Sequence, residues 1–296
     1  MEYSFVAKSE LKISKIGFGC MALKSFADGD LLIHKAIDSG MNFFDTADLY
    51  EQGKNEEILG KALSYKRNDV IVATKVGNQM RPDGSGWDWN PRKEYILKSV
   101  EGSLKRLRTD YIDLYQLHGG TIEDQIDETI EAFELLKQQG KIRHYGISSI
   151  RPNVIKEYVR RSGIVSVMMQ YSLLDRRPEE SCLKLLEKNG IAVLARGVLA
   201  QGLLVDKPAK AYLEKSEEEV SRVVKAIADT AAGRSMDELA IAYVLANKAI
   251  ASAVVGIRTE AQLNSAIKAI VGKPLEQTDV VNLQNRSLPN IYRVHR

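Results

Sequence analysis

Cysteine is almost absent from this 296-residue chain. Cys20 and Cys182 stand far apart with no CxxC spacing, so neither a disulfide framework nor a zinc cluster is expected. Both read as buried thiols of a reducing compartment, and no metal is expected. No apolar run reaches the ~18 residues that a membrane span needs. The opening MEYSFVAKSELKIS alternates polar and apolar residues and lacks the apolar stretch of a signal peptide. A net charge of +3 is too small and too mixed to draw nucleic acid. These absences point to a cytoplasmic enzyme with neither nucleic acid nor membrane as partner. The oligomeric state is not legible.

What the chain does have is a repeated alternation of short β-rich runs and longer helical patterns. Strands are predicted at 15–19, 42–45, 70–74, 112–117, 144–147, 165–170, 192–196 and 253–255. Helices are predicted at 29–39, 55–63, 93–107, 121–139, 152–162, 179–188, 217–230 and 235–248. Strict alternation calls for a parallel sheet with helical crossovers. VIVAT, VSVMMQY and IAVLA are apolar throughout, as strands covered on both faces should be. A doubly wound sheet would open with GxGxxG after its first strand, but the turn here reads GFGCMAL. The expectation is therefore a single-domain (β/α)8 TIM barrel over residues 1–296. A hairpin at 3–6 and 11–13 would cap its floor, and an extra helix would follow Gly272. Loops 77–91 and 201–216 follow strands and so belong to the C-terminal rim, where active sites of such barrels are built.

Four residues at strand ends carry chemistry. Asp45 and Tyr50 lie in MNFFDTADLY, Lys75 closes DVIVATK, and His118 closes DYIDLYQLH. Taken singly, each has an ordinary reading as a cap, a packed ring or a solvated charge. Brought to one rim, they are the parts of a proton-transfer site. A buried lysine beside a carboxylate keeps its charge, and a cation beside a phenol favours phenolate. Tyr50 could then act as general acid toward a carbonyl oxygen, with His118 polarising that oxygen or relaying the proton.

GMNFFDTADLYEQGKNEEILGKAL, VIVATKVG, SVEGSLKRLRTDYIDLYQLH, GKIRHYGISS and VVGIRTEAQL together resemble the aldo-keto reductases, from about residue 16 to residue 269. The resemblance implies NADPH-dependent carbonyl reduction, with Asp45, Tyr50, Lys75 and His118 as the catalytic tetrad. It implies Gln170 and Ser148 as partners of the nicotinamide carboxamide, although Ser149 stands where the family carries Asn. Arg196 replaces a usual aromatic and could approach the cofactor phosphates, while Tyr171 is the aromatic closest to that strand for stacking. Gly256, Arg258 and Gln262 match the segment that binds the 2′-phosphate and adenine, with Ala266 where Asn is usual. Met21, Leu23, Trp87 and Trp89 are expected to line the substrate pocket, which would take a small carbonyl compound. The competing reading is an NADP(H)-binding sensor or regulatory subunit on the same barrel, which would bind cofactor without turning over.

Overall fold

The computed structural model describes residues 1–231 and 233–296, apart from the Asp28 side chain. An antiparallel hairpin, β1 (Tyr3–Phe5) and β2 (Lys12–Ser14), precedes β3 (Ile16–Gly19), β4 (Phe43–Asp45) and β5 (Ile71–Val76). A second antiparallel hairpin, β6 (Asn78–Met80) and β7 (Trp87–Trp89), leaves the end of β5. Then come β8 (Ile112–Leu117), β9 (Ile142–Ser148), β10 (Ser166–Gln170), β11 (Ala192–Arg196) and β12 (Ile250–Gly256). Eight of these strands, β3, β4, β5 and β8–β12, close into a barrel, and every neighbouring pair is parallel. The expected (β/α)8 barrel is the fold.

Strand periodicity divides the core in two. Phe43, Ala73, Leu114, Met168, Leu194 and Val254 point inward and fill the lower barrel. Their neighbours Phe44, Val72, Tyr115, Met169, Val193 and Val255 point outward against the helices. The floor is closed by the N-terminal hairpin, whose Val6, Leu11 and Ile13 pack on the inner cluster. No helix among the described residues is long and apolar enough to cross a membrane.

The helices follow from the same burial logic. In α3 (Lys93–Leu107), Ile96, Val100, Leu104 and Leu107 form the buried face. The helix stops where Arg108 turns left-handed (φ 55°) and its N–H bonds to the Leu104 carbonyl. The expected strict alternation does not hold near the end of the chain. Both α7 (Glu217–Thr230) and α8 (Met236–Leu245) lie between β11 and β12, and the helix after β12 is α9 (Glu260–Val271). Residues 217–230 are thus an inserted helix, packed on the last one, α10 (Gln277–Arg286), rather than a barrel crossover. An amphipathic pattern reports a buried face but not what covers it. The 121–139 helix also starts late, at Ile126, because Asp124 folds back onto the Thr121 N–H at 2.7 Å.

One close approach sets how α2 (Lys54–Ala62) crosses α3. A Cβ on Gly60 would lie 2.5 Å from the Arg106 carbonyl oxygen and 2.6 Å from Leu107 Cα. Backbone cannot give way as a flexible side chain does. Gly60→Ala is therefore expected to cost about 1–3 kcal/mol by overpacking, read as a lower urea midpoint; an unchanged midpoint would refute this reading of the crossing.

Candidate active site

Stepping two residues along each inward-facing strand leads from apolar floor to polar rim. Phe43 is followed by Asp45, Ala73 by Lys75, Leu114 by Gln116, Met168 by Gln170, and Leu194 by Arg196. Parallel register sets Lys75 beside Gln116, so these groups meet at the C-terminal mouth of the barrel. His118 follows β8 at once, and its N–H donates to the Val76 carbonyl at 2.7 Å.

At the centre is a buried ion pair. Lys75 Nζ, 1% exposed, lies 2.6 Å from Asp45 Oδ1 and donates to the Thr46 carbonyl at 2.7 Å. Burial works against the lysine charge, but Asp45 and the neighbouring Tyr50 outweigh it and hold Lys75 above its ordinary pKa. Burial likewise raises the Asp45 carboxyl, and Lys75 is the largest force opposing that rise. Gln116 Nε2 reaches Asp45 Oδ2 at 3.4 Å.

Tyr50 arrives from a loop that is tied down on every side. Thr46 Oγ1 donates to Asn55 Oδ1 at 2.7 Å, and Asn55 Nδ2 donates to the Cys20 and Leu23 carbonyls. Immediately after Tyr50, Glu51, Gln52 and Gly53 all take positive φ, which turns the chain sharply into α2. The ring of Tyr50 lies with its centroid 5.1 Å from Lys75 Nζ and 5.9 Å from the His118 ring, edge to face. Burial, with Lys75 and Arg196, drives the His118 pKa down to about 3, so its imidazole is neutral. His118 Nδ1 is buried without a hydrogen-bond partner.

A pocket of about 470 Å³ opens over His118. Trp87 and Trp89 from the second hairpin line it, together with Ser148, Arg151 and Arg196. Trp89 is fixed by its Nε1–H, which donates to Asp124. Two of the expected wall residues are elsewhere. Met21 is 63% exposed on the turn after β3, and Leu23 is buried in the outer core. Neither is among the residues lining this pocket. Tyr171 must also be corrected. It is one residue past the inward-facing Gln170, so it points outward, stacks on Tyr243 of α8 and donates to Glu179. It is part of the core and cannot stack on a ligand at the barrel mouth.

Gln170 is held from both sides, donating to Tyr212 Oη at 2.9 Å and accepting from Arg196 at 3.4 Å. Gln116, Asn78 and Arg151 carry no motif in the sequence, and Tyr212, three residues before Lys215, lacks the spacing of a Tyr-x-x-x-Lys pair. Only Gln116 carried a signal, two residues before His118 and hence on the same inner face of its strand. At the far end, Thr259 caps α9 by accepting from the Gln262 N–H, and Gln262 Oε1 accepts from the Arg258 N–H at 2.9 Å. Gly256 leads into this turn, and a Cβ there would meet nothing within 4 Å, so the surface beside it is open.

A model of the Aldo/keto reductase family matches residues 15–285, and the chain belongs to that family. It is an oxidoreductase by that membership. It is 51% identical to the oxidoreductase YqkF of Bacillus subtilis over 97% of both chains. Its structure superposes on the holo form of aldo-keto reductase AKR11C1 from Bacillus halodurans with a TM-score of 0.96, at 46% identity over 100% of this chain and 99% of the other. It also matches glycerol dehydrogenase AKR11B4 from Gluconobacter oxydans with a TM-score of 0.87, at 28% identity over 98% and 97% of the two chains.

The depressed His118 value has a testable sign. From 6.5 down toward 3 the folded chain binds fewer protons at this ring than the unfolded chain, so stability falls as pH falls through that window. NMR titration should find the His118 ring neutral down to about pH 5; a midpoint near the ordinary histidine value would contradict this electrostatic picture.

Proposed function

We propose that this oxidoreductase is an NADPH-dependent reductase of aldehyde and ketone carbonyls, with Tyr50 as the general acid. The observation that carries the reading is the Tyr50 ring lying close to both the Lys75 ammonium and the neutral ring of His118, a residue that lines the pocket. An ammonium so close stabilises the negative charge that develops on the phenol oxygen as its proton leaves. Asp45 keeps that ammonium charged where burial alone would discharge it. A neutral imidazole can donate one hydrogen bond to the same carbonyl oxygen, polarising it without adding a charge.

The donors present fit a nicotinamide dinucleotide phosphate. Gln170 and Ser148 face the barrel mouth, where a carboxamide can be fixed. The first turn of α9 offers backbone N–H groups and the Arg258 guanidinium, a combination suited to a phosphate monoester. That guanidinium favours NADPH over NADH. Ser149 and Ala266 supply fewer amide contacts than the family pattern implies, and Ala266 is buried in the helix packing. When bound, the nicotinamide supplies the hydride for the carbonyl carbon. Tyr50 supplies the proton for the oxygen, and the two tryptophans keep water from one side of the pocket.

The test is NADPH oxidation with a panel of aldehydes, in wild type and Tyr50→Phe. Loss of one general acid should lower kcat by about 10²–10⁴-fold, while NADPH binding, followed by nicotinamide fluorescence, persists. Equal turnover in the variant would remove Tyr50 from the mechanism. Tight NADPH binding with no turnover on any aldehyde would favour the sensor reading.

A further inference from the structure

Two half-buried guanidiniums face this pocket, and neither has a carboxylate partner among the described residues. Several other partly buried arginines are paired: Arg67 with Asp113, Arg106 with Glu56, Arg176 with Glu179, Arg177 with Asp175. Desolvated cations are stable when something negative meets them. The pocket lining has no acidic side chain to do so. On the loop after His118, the half-buried Asp124 is already committed. Its two oxygens take the Trp89 indole N–H and the Thr121 N–H and hydroxyl.

The two arginines come from different strand ends. Arg196 ends β11 and reaches Gln170, which is assigned above to the cofactor. Arg151 lines the same pocket from the loop after β9, two strands away, as the residue that precedes α5 (Pro152–Arg161). Its backbone N–H donates to Ser149 Oγ, and its Nη1 donates to the Gly120 carbonyl, which fixes the guanidinium at the rim. A guanidinium has five N–H groups, so most of the fork is left for a ligand. The N-terminus of α5 adds a partial positive charge behind it. Gly119 and Gly120 put no side chain between the fork and His118, and a Cβ on Gly119 would press within 3.1 Å of the Trp89 ring.

We propose that the carbonyl substrate carries a carboxylate, which Arg151 grips while the carbonyl faces Tyr50 and His118. This rests on the reductase reading given above. Planar, bidentate pairing with a carboxylate is what an arginine fork offers and a point-charge lysine does not. Between the two polar ends, Trp87 and Trp89 offer an apolar wall for a short linking chain. Arg151 is then a specificity residue that selects an aldehyde or keto acid over a neutral carbonyl compound of equal length.

The test measures kcat/KM with NADPH for succinic semialdehyde against butanal, and for the five-carbon pair, in wild type, Arg151→Gln and Arg151→Lys. The readout is the acid-to-neutral ratio, because a merely structural role at the Gly120 carbonyl would depress both substrates alike. Wild type should favour the acids by about ten-fold or more, chiefly through KM. Arg151→Gln should bring the ratio to about one or below, and Arg151→Lys should restore part of it. A wild-type ratio near one, or a ratio that survives Arg151→Gln, overturns the proposal while leaving the reductase intact. If none of the four aldehydes oxidises NADPH, the reductase reading falls and this proposal with it.

Discussion

Burying Lys75 inside the barrel makes its ammonium dependent on Asp45, one strand away. Removing two such ions from water costs several kcal/mol each, and only close approach and further hydrogen bonds recover it. The Thr46 carbonyl and Gln116 supply those bonds. The pair therefore needs the register of β4, β5 and β8 and the first turn of the loop that carries Tyr50. The same charge acts on the neighbouring aromatic groups. It contributes to keeping His118 neutral and stands beside the phenol. One ion pair thus couples the packing of three strands to the chemistry at their ends.

Around that centre the fold divides its tasks. The lower barrel is a packed apolar plug closed by the N-terminal hairpin, so the polar groups above it have a rigid base. The loops add what varies. The second hairpin brings an aromatic wall, the Gly119–Gly120 rim leaves space, and the segment around Tyr212 reaches over to hold Gln170. Strands carry the buried Lys75–Asp45 pair, while Tyr50 and the pocket walls come largely from loops, an arrangement in which the walls can change without disturbing the ion pair.

Asp45, Lys75 and His118 were legible as neighbours because strand ends and period-two alternation leave little freedom, whereas Tyr50, on the loop after β4, was joined to them chiefly by the family resemblance. Asp45, Lys75 and His118 fall where counting along the strands puts them. Tyr171 shows the limit of the same rule: one residue beyond an inward position faces the helices, and adjacency in sequence to Gln170 hid that. The placement of Met21 and Leu23 depended on the path of the turn after β3, which strand periodicity does not describe. The hairpin within 77–91 reads as a loop because its two strands are only three residues long, too short to show a period, and a glycine-containing turn separates them. Helix 217–230 has the pattern of a crossover yet packs on α10, since amphipathicity alone does not name the partner. Arg151, just before Pro152, belongs to no motif and no periodic face; only the pocket gives it an address.

Lys75 and Asp45 are tolerable in the barrel only together. A double-mutant cycle with Asp45→Asn and Lys75→Met, read by urea unfolding, tests it most directly. Each single change should cost about 3–5 kcal/mol because it strands the other charge in the core. The double variant should lose less than the sum of the two by about 2 kcal/mol or more. Additive losses would mean that the two charges do not depend on each other, and the account of the centre would be wrong.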